Sequence, residues 1–106
     1  MTMDLSTLSV DLFEARIGSG FLLAGPDGLG IEATLVKCPT HPRATMPGAA
    51  RTAFSLILSA PNERTPDFNG GCFIVHHAQM APFGPVHVER IMSGTPGTAM
   101  LQIIFN

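Results

Sequence analysis

The stretch GGCFIVHHAQM over residues 70–80 sets one thiol, Cys72, close in sequence to two imidazoles, His76 and His77, and a second thiol and imidazole stand at Cys38 and His41. Cysteine and histidine are zinc ligands, and a thiolate beside a histidine base is a nucleophile. Either chemistry requires the side chains to meet, so the backbone that carries them decides. On a helix, residues 72 and 76 would lie on adjacent turns of one face. On a strand they stand about 13 Å apart at ~3.3 Å per residue, whereas zinc needs each ligand atom within about 2.3 Å.

The β-branched and aromatic content of CFIVHH reads as a strand. Cys72 and His76 then cannot share a metal, and the adjacent His76 and His77 face opposite sides of the sheet. Cys38-x-x-His41 supplies at most two ligands, from a proline-flanked loop. Cys72 as a nucleophile would need His76 or His87 as its base and an electropositive pocket. No G-x-S-x-G, H-E-x-x-H or phosphate loop is present, and the glycines at 18, 20, 25, 28 and 30 flank strands as turn residues. Tyr and Trp, the rings that line sugar and base-stacking sites, are absent. The sequence therefore assigns no catalytic residue, no cofactor and no metal site.

The elements that position these residues follow from periodicity. Ser9 is placed to cap a short helix over VDLFEARI that ends before Gly18, with Val10, Phe13 and Ile17 on one face. The pattern then changes to period two. FLLAGPDGLGIEATLVK reads as a hairpin turning at Gly25-Pro26-Asp27-Gly28, with Leu29, Ile31, Ala33 and Leu35 on one face and Glu32 and Thr34 on the other. RTAFSLILSA, CFIVHH, VHVERIM and TAMLQIIFN supply further alternating runs. The expected fold is mainly β: a small antiparallel barrel or sandwich of about six strands with one short N-terminal helix, forming a single domain over 1–106. Two connections, 38–50 and 61–71, are long for such a fold and are surface excursions or binding loops.

Alternation assigns Phe21, Leu35, Phe54, Leu56, Phe73, Val75, Leu101, Ile103 and Phe105 to the core and leaves Leu22, Val36, Ile57, Ile74, Met100 and Ile104 on the opposite face. Pairing Val75 with Val88 matches the inward faces of the 72–77 and 86–91 strands. It sets His77 opposite Val86 on the core side, neutral and held by a backbone carbonyl, and His76 opposite His87 outside.

Charged residues are only 13% of the chain, against about 25% in a typical soluble domain. The net charge is −2 without runs, which disfavours nucleic acid and anionic membrane as partners. The N-terminal residues lack a signal-peptide pattern and no apolar run is long enough to span a bilayer, so a cytoplasmic protein with free thiols is expected. With so few charges, an apolar outer face implies a homodimer or higher oligomer.

The spaced features LSVDLFEARIGSGF, EATLV, FSLIL followed by a proline, GGCFIVHH and the ending IIFN resemble a family of roughly hundred-residue bacterial domains of unknown function. Its members show an L-x-x-x-F opening with G-x-x-F, an F-S-L strand, a G-x-Y-x-L-x-H strand and a terminal Y-x-A-x-F-N. Phe73 stands at the Tyr position, Val75 at the Leu and His77 at the His, and Leu101, Ile103 and Phe105 stand in the last strand. The chain departs from the pattern in having no tyrosine, a proline-rich 38–50 loop, and Arg90 where an apolar residue is expected. The resemblance implies a compact β-fold without an assigned activity, and by association an accessory piece of a phage-tail-like assembly. Two functions follow: a non-catalytic interaction or assembly module, or a small-ligand or catalytic protein using Cys and His. A continuous apolar surface marks the first and a cleft on which Cys and His converge marks the second.

Overall fold

The computed structural model describes residues 5, 8–45, 47–48, 51–65 and 70–106. Six strands, β1 (Gly20–Ala24), β2 (Gly30–Lys37), β3 (Phe54–Pro61), β4 (Gly70–His77), β5 (Met80–Ile91) and β6 (Thr98–Phe105), follow the helix α1 (Val10–Glu14). They close into an antiparallel barrel in the order β1-β2-β3-β6-β5-β4. Of the two architectures the periodicity allows, the chain adopts the barrel.

The nine side chains assigned to the core by alternation are all buried, together with Leu23, Ile31, Ala33, Leu58, Phe83 and Val88. The end of the barrel is stoppered by α1. Its one fully buried residue, Phe13, packs among Phe21, Phe54, Phe83 and Phe105 with ring centroids 5.7 to 6.4 Å apart. Arg51 fixes this stopper. Its guanidinium donates to the carbonyl oxygens of Leu5, Leu8 and Asn106 and lies over the rings of Phe54 and Phe105.

The helix is shorter than expected, ending at Glu14, and the Ser9 side chain makes no capping bond. Backbone bonds from Gly18 N–H to Leu35 and from Leu35 N–H to Ser19 draw the chain out of the helix and onto β2, which leaves Ile17 half exposed.

A second correction concerns β3, where Ile57 is buried rather than on an open outer face. After a bulge between Leu35 and Lys37, the chain continues alongside β3: Ser55 N–H donates to Pro39, His41 N–H to Ala53, and His41 Nε2 lies 2.7 Å from Ser55 Oγ. The start of the 38–50 connection is therefore an extension of the sheet. Ile57 is flanked by Lys37 and Gln102 on the neighbouring strands. In the 61–71 connection, Asn62–Arg64 forms a 3-10 turn; residues 46, 49, 50 and 66–69 of these two loops lie outside the described residues.

The third correction is the β4–β5 register. AQMAPFGP is not a loop: β5 starts at Met80, so only Ala78 and Gln79 turn the hairpin. Pairing runs His77 to Met80, Val75 to Phe83 and Phe73 to Val86, so β5 carries an extra residue twice. Such bulges bend a strand and help a sheet curl shut. At the upper one, Gly84 has φ +132° and its Cα lies so close to Phe73 that a Cβ would meet the Phe73 carbonyl oxygen at 2.7 Å.

Candidate functional site

The described side chains fill the barrel interior, and the clefts described below open on the outer wall and the rim. The larger opening is a cleft of about 660 Å³ where β1, β2 and β4 meet. One row across the sheet builds its floor: His76 of β4, Leu22 of β1 and Glu32 of β2 are successive register partners. Gly20, opposite Thr34, adds no side chain, and Pro61 and Arg64 from the end of β3 and the turn after it form a wall. The cleft thus sets the apolar Leu22 among one carboxylate, one guanidinium and two imidazoles, those of His76 and His77, with no thiol in its lining.

His77 closes the rim of this cleft and is on the core side of β4, as the alternation requires, half-buried against the Phe21 ring at 4.5 Å. Its partners differ from the expected carbonyl. Gln79 N–H donates to Nδ1, so the ring carries its proton on Nε2, which donates to Ser19 Oγ at 2.9 Å; the Ser19 hydroxyl in turn donates to the Arg16 carbonyl. Burial first, and the nearby Arg16 charge second, push the His77 pKa below that of a free histidine. His77 is a neutral structural joint between β4 and the segment that follows α1.

Cys38 and His41 do not converge on a ligand. The Cys38 thiol is buried and its pKa is raised, mainly by burial and further by Glu14, while His41 is committed to Ser55. Both cysteines are free. Among the described residues, no three His, Cys, Asp or Glu side chains are grouped to hold a metal ion.

His76 is not opposite His87. The tight turn and the two bulges set Cys72 opposite His87 and Gly70 opposite Glu89. Cys72 is exposed, and His87 Nε2 lies 3.6 Å from Glu89 Oε1. Which residue of β5 lies opposite Cys72 rests on bulges that strand alternation does not reveal. A second cleft, of about 360 Å³, has His87, Arg51 and Ile104 among its walls.

No helix among the described residues is long and apolar enough to cross a membrane. A family model described as a domain of unknown function (DUF6916) matches residues 8–105. No curated protein and no solved structure matches the chain.

Proposed function

We propose that this chain, which belongs to the DUF6916 family of domains of unknown function, is a non-catalytic interaction module that meets its partner with the outside of its barrel. The observation that carries this reading is the filled interior. Inward positions on all six strands are buried and apolar except toward the strand ends, where the half-buried His77 lies, and Phe13 stoppers one end, so the described residues leave no ligand chamber of the kind larger barrels enclose. Leu22, Val36 and Ile104, by contrast, remain 41 to 52% exposed on the outer wall of a chain with few charges.

The partner we favour is a second copy. The β1–β2–β4 cleft carries Glu32 and Arg64 around the exposed Leu22, a self-complementary set: a two-fold axis can place each carboxylate against the other copy's guanidinium. An accessory place in a phage-tail-like assembly is the setting that the sequence resemblance adds.

Sedimentation across a micromolar concentration series tests the reading. A reversible dimer is expected, lost in Leu22→Lys and in Glu32→Arg, and regained when Glu32→Arg is combined with Arg64→Glu. A monomer at every concentration overturns the homotypic reading, and a dimer indifferent to all three changes moves the interface elsewhere.

A further inference from the structure

We propose that His77 is an acid-released latch on the rim of the β1–β2–β4 cleft: a second proton on its ring frees the Ala78–Gln79 turn and slackens the face that meets the partner. The latch acts on the cleft already assigned to the second copy, and in that respect it rests on the homotypic reading. Its ring is held on three sides. Nε2 donates to Ser19 Oγ at 2.9 Å, Nδ1 accepts from Gln79 N–H at 3.0 Å, and the Phe21 ring lies 4.5 Å away, centroid to centroid. The Ser19 hydroxyl keeps its own proton on the Arg16 carbonyl. The neutral ring therefore satisfies both of its nitrogens and ties the turn to the segment that follows α1.

A second proton goes to Nδ1, the nitrogen that faces an amide hydrogen. Donor then meets donor. The ring cannot rotate away without giving up Ser19 and the Phe21 contact, whereas the turn is two residues long and both are exposed. The turn is the part that yields. Ala78 lines the cleft together with His76 and His77, so its displacement alters the end of the cleft beside Leu22, the register partner of His76. The charged and titratable groups around the ring are Arg16, its neighbour His76 on the outer face of β4, and, across the cleft, Glu32 of β2 and Arg64 of the turn after β3. Phe21 of β1 and Met80 of β5, its register partner, are neutral. Burial and the Arg16 charge both hold the ring neutral. The latch thus stays shut around neutral pH and opens on acidification below the ordinary histidine range.

The test follows the Gln79 amide and the His77 ring by NMR as the native protein is taken from pH 7.5 to pH 5, with sedimentation at the two ends. Exchange protection of Gln79, corrected for the intrinsic pH dependence of amide exchange, is expected to fall about fivefold with the midpoint of the ring, the ratio that losing one ordinary hydrogen bond gives. The amides of Leu56 and Leu101 in the core strands are expected to keep theirs. The dimer is expected to dissociate over the same range in the native chain and in His76→Gln, and to persist in His77→Gln. Gln79 protection indifferent to the titration of the ring overturns the latch, as does an acid dissociation that His76→Gln abolishes and His77→Gln leaves intact. A chain that is monomeric at both pH values removes the homotypic reading instead, and the Gln79 amide alone then decides the latch.

Discussion

The His77 imidazole donates through Nε2 to the Ser19 hydroxyl 2.9 Å away, joining residues 58 apart in the chain. Since Nδ1 already accepts from Gln79 N–H, both ring nitrogens are occupied in the neutral form, and a second ring proton would break the Gln79 bond.

The sign of the pH dependence follows from this bond. His77 has its pKa lowered from 6.5 by burial and by Arg16, so on acidification the unfolded chain takes up the proton before the folded one does. Its contribution to stability is therefore whole above about pH 6.5 and declines as pH falls below that value. Urea unfolding at pH 7.5 and pH 5.5 should show the loss in the native sequence and a smaller one in His77→Gln. Equal losses would place the titrating group elsewhere. Ser19→Ala, which removes the acceptor, should cost about 1 kcal/mol at pH 7.5.

Phe13→Ala should cost about 3–5 kcal/mol, the range for emptying a buried phenylalanine site, because four other phenylalanines pack around that ring. Thermal or urea unfolding followed by circular dichroism measures it. A cost under about 1 kcal/mol would mean that the barrel stands without its stopper.

Gly84→Ala should destabilise by about 1–3 kcal/mol from backbone strain alone, with the contact at the Phe73 carbonyl added to it. Gly20→Ala is the control, since a Cβ there meets nothing within 4 Å. Similar midpoints for the two variants in urea would count against the bulge geometry.

Cys38 should resist iodoacetamide in the folded protein and react once the chain is unfolded, as burial and Glu14 both hold its thiol protonated. Cys72 should be labelled under native conditions. Peptide mass mapping after a timed reaction separates the two, and native labelling of Cys38 would show that the end of β2 opens readily.

Strand alternation made the inward face legible because period two depends only on the local pleat, and the core from Phe21 to Phe105 follows from it. It also gave the phase of His77. It could not give the partner of His87, because register depends on the turn and the bulges. Treating 78–85 as a loop pairs His76 with His87, whereas the two-residue turn alone would bring His87 to Gly70, and the two extra residues of β5 carry it to Cys72. The burial of Ile57 was hidden for a related reason: the chain that runs along β3 belongs to a segment without an alternating pattern.

The closed order of the barrel gives every strand two neighbours, but the ladders are unequal: β3 and β6 share eight register pairs, β1 and β4 only three, Leu22–Ala24 with His76–Ile74. An intact ring offers no template for strand addition, so another polypeptide cannot extend this sheet by backbone pairing. That protection lasts only while the short β1–β4 seam stays zipped. Amide exchange is expected to be fastest along that seam, and any strand donation or domain swapping by this chain starts with its opening.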